Sequence, residues 1–244
     1  AAANLGSMAT PIGNPQNLYL YSTYSFSLGT FFKTILPIVG ISYIGLLFSL
    51  LLIPQQPLAA EIPTESHLPL SAQKKNLIIY SILGVVCLTT VAGLVTHVVC
   101  FCVVLLGIIV TDRALIRRVD WELLLTFVCF FLFSGNLQQI ESVRNLMMQG
   151  LSGGVCLTAA LVSQVISNVP AAVLLSGFTE QGKELLMGVD IGGLGTPIAS
   201  LASLIAYQYY AKSKLANPAK YLQFFFIYQF IGLFLLLAIK FIML

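Results

Sequence analysis

Charge is what this sequence has least of. Of its 244 residues 9% are charged and 58% hydrophobic, with a mean hydropathy of +0.93; a soluble domain carries about 25% charged residues. The shortfall, spread over several long uncharged runs, excludes a soluble globular domain and leaves an integral membrane protein. Alternating apolar and polar strands are missing too, so the spans are helices rather than a barrel. No G-x-x-x-x-G-K-[ST] loop occurs, which excludes an ATP-driven pump. Gly192-Gly193-Leu194-Gly195 is not a dinucleotide fingerprint, and neither a Ser/His/Asp order nor H-E-x-x-H is present, so no enzyme is expected. The basic residues flank apolar runs and form no patch for nucleic acid. The five cysteines, Cys87, Cys100, Cys102, Cys129 and Cys156, sit inside apolar runs and read as small hydrophobic side chains. Cys100-x-Cys102 lacks the paired spacing and the histidines of a zinc site.

What the sequence does have is a repeated interruption. Gly188-Val-Asp190-Ile-Gly192-Gly193-Leu-Gly195-Thr196-Pro197-Ile-Ala199-Ser200 holds four glycines, a carboxylate and a proline, too many breaks for a plain helix. Shifted by 186 positions, Asn4-Leu-Gly6-Ser-Met-Ala-Thr10-Pro11-Ile-Gly13-Asn14 lies over it. Gly6 meets Gly192, Thr10 meets Thr196 and Pro11 meets Pro197; further on Leu18, Tyr21 and Tyr24 meet Leu204, Tyr207 and Tyr210. Asn4 stands where the second copy has Asp190. Interrupted apolar segments in matching positions of two halves point to the binding site of a secondary transporter.

Read in order, residues 1–53 are the end of a first repeat: an interrupted segment over 1–11, a half-helix from Pro11 to about Ser25 capped by Thr10, and a span from Phe31 to Ile53. Asn14-Pro15-Gln16-Asn17 is unusually polar, either as part of a site or as a cap at a surface. Residues 54–75, with His67, form a loop. The second repeat, 76–244, holds three spans. Asn76 to Val110 exceeds one crossing and splits near Thr96-His97, where His97 is an interfacial residue or a proton-relay group. A basic connector over 111–119 leads to a span from Leu123 to Gly135, opened by Trp121 at the interface, and a polar connector covers 136–150. Residues 151–178, too long for one span and too short for two, read as a re-entrant hairpin with its tip at Ser167 to Pro170. A polar turn over 180–184 precedes the broken helix 185–210, and the last span is 221–244. The chain begins Ala1-Ala2-Ala3, without methionine, and is expected to be a fragment or processed chain that misses the helices before Asn4.

A helix broken in mid-membrane leaves carbonyls at one end of the break and N–H groups at the other, about half a charge each. The carbonyl end suits a hard cation and the N–H end an anion. Asp190 is the one acid placed inside a predicted span; burying it at the bilayer centre costs about 2.5–3.5 kcal/mol on insertion scales, which points to a cation ligand or proton carrier. The other reading is an acid at the outer mouth, paired with Lys183 or capping a helix.

These motifs resemble a known group. The glycine–threonine–proline–asparagine segment from Asn4 to Asn17, Val119-Asp120-Trp121-Glu122 before a second-half span, and Ser167-Asn168-Val169-Pro170 at the hairpin tip are similar to signatures of the ion transporter superfamily. The nearest branch is the arsenite permease, sodium–proton antiporter and citrate permease group. The resemblance covers nearly the whole chain, and its C-terminal part carries most of the motifs. It implies an elevator-type secondary transporter with two inverted repeats, two hairpins and two broken helices. By that resemblance Ser167, Asn168, Gly192 and Thr196 line one half-site and Asn4, Gly6 and Thr10 the other, while the first hairpin is missing.

The expected fold is therefore an all-α integral membrane protein, an inverted-repeat secondary transporter with discontinuous helices and a re-entrant hairpin. Its expected binding residues are Asn4, Gly6, Thr10, Asn14, Ser167, Asn168, Asp190, Gly192, Gly193, Thr196 and Ser200. Of these Ser167, Asn168, Asp190, Gly192 and Thr196 are candidate ligands for Na⁺, the one cofactor-like ion considered. The expected activity is transport of a small citrate-, dicarboxylate- or arsenite-like anion across a bacterial cytoplasmic membrane, coupled to Na⁺ or H⁺. Two other readings stand beside it: a Na⁺/H⁺ antiporter with Asp190 as exchanger, and a non-transporting half-transporter or membrane scaffold. A homodimer in the lipid bilayer is expected.

Counting crossings puts Lys74, Lys75, Arg113, Arg117, Arg118, Lys212, Lys214 and Lys220 on one side, and Lys33, Arg144, Lys183 and Lys240 on the other. The first side should be cytoplasmic, so the two copies of the motif run in opposite directions. Single cysteines placed in a background cleared of native ones should be labelled from the cytoplasm at Ser66 and Ser213 and from outside at Ser142. Ser66 and Ser142 on one side would defeat the inverted arrangement.

Overall fold

The computed structural model describes residues 1–51, 70–213 and 216–243; His67 and most of the expected loop lie outside them. The elements are α1 (Ala2–Ser7), α2 (Pro15–Thr23), α3 (Leu28–Leu51), α4 (Leu70–Val91), α5 (His97–Thr111), α6 (Ala114–Arg118), α7 (Trp121–Gln139), α8 (Glu141–Gly153), α9 (Val155–Ile166), α10 (Asn168–Ser176), α11 (Gly182–Gly192), a 3₁₀ turn at Pro197–Ala199, α12 (Leu201–Ala211) and α13 (Pro218–Met243). The protein is an all-α integral membrane protein. By length and composition α3, α7 and most of α13 can each cross a membrane, and their apolar surfaces are largely unburied.

The chain divides into two units, Ala1–Leu52 with Leu125–Leu244, and Ile53–Leu124. In the second of these, α4 and α5 pack as a pair, so the long apolar run does split beside Thr96, which caps α5. His97 is exposed at the first position of α5, as an interfacial residue would be. Trp121 donates Nε1–H to the Ile116 carbonyl (3.2 Å).

The larger unit is built around α10, whose residues from Asn168 to Leu175 are all buried. It is the second arm of the hairpin, and α9 is the first. Helices α2, α9 and α11 cover α10. Pro170 falls in the first turn of α10, where a missing N–H removes nothing. The carbonyls of Val173 and Leu174, near the other end of α10, accept from Gln138 Nε2 of α7 (2.9 and 3.0 Å), and Ser134 Oγ, one turn earlier, donates to the Pro170 carbonyl (3.1 Å). The two expected half-helices start later than the Thr-Pro pairs suggest. In the first copy the cap is Asn14, whose side chain accepts from Asn17 N–H (3.0 Å), and Pro15 takes the first helical position. In the second copy Thr196-Pro197 opens a 3₁₀ turn, and α12 begins after Ser200. Asn14 and Ser200 are themselves 186 positions apart, so the repeat extends to the caps.

The two broken helices are antiparallel. Helix α2 leads away from its break and ends at Tyr24, whose hydroxyl donates to the Thr179 carbonyl (2.7 Å) just before α11 starts. Helix α11 then runs back toward the break alongside α2.

Helix α11 lies against α9 through small residues. A Cβ on Gly188 would sit 2.5 Å from the Cys156 carbonyl oxygen and 2.7 Å from Ala159 Cβ; one on Gly192 would sit 2.7 Å from Ala160 Cα. This is the small-xxx-small contact that lets membrane helices approach closely. Gly188→Ala should therefore destabilise the protein by about 1–3 kcal/mol. Gly40→Ala, where nothing lies within 4 Å of the added methyl, should do no harm. Thermal unfolding in detergent compares the two, and equal midpoints would remove this contact from the account.

Candidate functional site

Each break must find partners for the backbone groups it frees. In the first copy the fully buried Asn17 donates Nδ2–H to the carbonyls of Met8 (3.2 Å) and Thr10 (3.3 Å). In the second copy the work falls to Gln164 of α9. Its Nε2 donates to the carbonyls of Gly192 (2.7 Å) and Leu194 (2.9 Å), and its Oε1 accepts the Thr196 N–H (2.9 Å). The Thr196 hydroxyl then donates to the Gln164 carbonyl (3.0 Å). Gln164 was not among the residues singled out in the sequence; its signal is a lone carboxamide in an apolar hairpin arm, three positions before the tip.

The two breaks meet through a reciprocal pair of hydrogen bonds. Asn14 Nδ2 donates to Asp190 Oδ1 (3.4 Å), and Ser200 Oγ donates to Asn4 Oδ1 (3.1 Å). Exchanging the copies turns one bond into the other, since Asn14 corresponds to Ser200 and Asn4 to Asp190. Gln16 Nε2 adds a second donor to Asp190 Oδ1 (3.2 Å). Asp190 is 2% exposed and its Oδ1 is held by these carboxamides rather than by Lys183. Gln16 and Asn17 are likewise buried rather than a surface cap. One oxygen of Asp190, Oδ2, and one nitrogen of Asn4, Nδ2, are buried with no hydrogen-bond partner.

The hairpin tip closes on the same place. Asn168 is buried, and a Cβ on Gly193 would overlap the carboxamides of both Asn4 and Asn168; the glycine is what admits both side chains to this backbone. Ser167, between α9 and α10, has φ +75°, an uncommon conformation for a residue with a side chain and one that collects at functional sites. Its hydroxyl reaches the Ala199 carbonyl at 3.5 Å. Seven of the expected residues thus gather here: Asn4, Asn14, Ser167, Asn168, Asp190, Gly193 and Ser200. The others lie around this cluster. Gly192 is used in packing against α9, Thr196 turns its N–H and its hydroxyl to Gln164, Thr10 is exposed and Gly6 is half-buried.

The sequence profile of the citrate transporter family matches residues 1–180. The chain belongs to the citrate transporter family. The match to that family takes in the first broken helix and the hairpin and stops before α11, so it does not favour the C-terminal part as expected. Two relatives are a transporter of Methanocaldococcus jannaschii designated uncharacterized, MJ0456, and the inner membrane protein YbiR of Escherichia coli K12. The first is 33% identical over 204 residues, covering 84% of this chain and 54% of the relative. The second is 33% identical over 221 residues, covering 84% of this chain and 55% of the relative. The chain spans about half the length of these curated relatives. No solved structure matches it.

Removing the Gln164 carboxamide frees two carbonyls and one N–H at the second break. Gln164→Ala should raise amide exchange across residues 192–196 about fivefold, the equivalent of about 1 kcal/mol of lost hydrogen bonding. Hydrogen-exchange mass spectrometry on that peptide reads the change, and unaltered protection would show that the break is held by something else.

Proposed function

We propose that this chain forms a binding centre of a secondary transporter that moves a small citrate-, dicarboxylate- or arsenite-like anion, coupled to Na⁺ or H⁺. The observation that carries the reading is a set of orphaned polar atoms where two antiparallel broken helices meet, Asp190 Oδ2 and Asn4 Nδ2, with Asn17 Oδ1 of the first break. Asp190 Oδ2 is an acceptor without a donor, and Asn4 Nδ2 is a donor without an acceptor. A buried polar atom left so costs about 1–3 kcal/mol, which a bound species removes. A proton or Na⁺ completes Oδ2, and an oxyanion completes Nδ2. One site therefore answers to a cation and an anion together, the requirement for coupling them. Asn168 and Ser167 bring the hairpin to this centre, and ligation across hairpin and break ties binding to any movement of either. In this reading the mechanism is elevator-type, the working assembly is a homodimer, and the membrane is the inner one in which the Escherichia coli relative is named.

The second reading, a Na⁺/H⁺ antiporter, draws on Asp190 alone: a single buried carboxyl with one free oxygen can hold a proton or Na⁺ in turn. The third reading is a half-transporter or membrane scaffold without flux. Proteoliposome uptake by the full-length protein, with a panel of anions and with Na⁺ and pH gradients varied separately, distinguishes all three. Asp190→Asn is the sharpest variant. Its carbonyl oxygen keeps the bonds from Asn14 and Gln16, so the fold should stand, while loss of charge should cut gradient-driven uptake by at least tenfold. Uptake with unchanged Na⁺ and pH dependence would take Asp190 out of the coupling step.

A further inference from the structure

Away from the central site, three lysines of the larger unit converge on one cavity of about 490 Å³. Lys33 comes from α3, Lys183 from the first turn of α11, and Lys240 from the last turns of α13. Among the described residues Glu184 is the one carboxylate lining it, so three ammonium groups face one acid there and two positive charges are in excess. Lys240 and Glu184 form an ion pair (2.6 Å), with side chains 13% and 27% exposed. Lys33 and Lys183 are exposed at the rim. The rest of the lining is mostly apolar, with Met187 from α11 and Ile239 from α13.

We propose that this cavity is a second anion site, separate from the one between the broken helices, and that its ligand is a phosphate-type oxyanion. The central site has no cationic side chain of its own, whereas this one has three and a single competitor. Lys33 and Lys183 meet the ligand first and without cost, because both are already solvated and free to turn inward. Lys240 joins only if the ligand takes it from Glu184. Parting that half-buried pair leaves a carboxylate to be resolvated, so an oxyanion with two charges outcompetes one with a single charge. Basic pockets between membrane helices take lipid headgroups, and the apolar lining suits an acyl chain below a phosphate. Free phosphate offers the same oxygens without the chain.

Purified full-length protein in detergent provides the test, with phosphatidic acid, whose phosphomonoester can carry two charges, and inorganic phosphate as separate probes, lipid binding read by native mass spectrometry and phosphate binding by calorimetry. Lys33→Ala with Lys183→Ala should weaken whichever probe binds by roughly thirtyfold, two lysines' share of headgroup attraction. Both are exposed, so the double variant should fold normally. Glu184→Gln should do the opposite and tighten binding several-fold, by releasing Lys240. Binding of the lipid alone assigns the site to the bilayer, and binding of phosphate alone assigns it to solution. The proposal is overturned if neither probe binds, or if binding ignores the double lysine variant. It is equally overturned if Glu184→Gln lowers thermal stability and leaves affinity as it was, which is what an ion pair with a purely structural role would do.

Discussion

Unpaired backbone in an apolar layer is the constraint on which the rest of this structure depends. Each broken helix frees carbonyls and N–H groups that a bilayer cannot satisfy. The protein meets the need with carboxamides: Asn17 at the first break, Gln164 at the second. It then brings the two breaks together, so that Asn14 and Ser200 each serve the opposite copy. The buried α10, the close α9–α11 contact and the antiparallel course of α2 and α11 all follow from keeping lipid away from that meeting point.

The two copies share a frame but not a chemistry. Asn4 faces Ser200 alone, while its counterpart Asp190 faces both Asn14 and Gln16. The residue matching Gln16 in the second copy is Ala202, so the extra donor exists on one side only. Additional donors gather around the acid, where a negative charge can use them, and not around the amide. This asymmetry gives the centre a carboxylate end and a carboxamide end.

Much of this was legible in the sequence because the repeat is nearly exact in length. A single shift of 186 positions aligned glycines, Thr-Pro pairs and, unremarked, the caps Asn14 and Ser200. The helix starts were misread because Thr-Pro is itself a good helix-start signal; the chain uses it for a turn and lets the next polar residue do the capping. The hairpin was legible from its length and its polar tip, and Asp190 from its isolation. Gln164 was not, since its three partners are brought to it by tertiary packing and a lone glutamine carries no periodic signature. Ser134 and Gln138 escaped for a related reason: their spacing of four places them on one face of α7, but nothing local says that the carbonyls of α10 lie opposite.

The contact between α9 and α11 has a mechanical consequence. Gly188 and Gly192 bring the two backbones so near that no side chain lies between them to act as a bearing, and Gln164 bolts the end of one to the end of the other. Shear along this seam would drive backbone against backbone and snap four hydrogen bonds at once. The first arm of the hairpin and the first half of the broken helix therefore travel as one piece. Any movement of either has to carry that whole block, and the compliant joints of the molecule lie elsewhere.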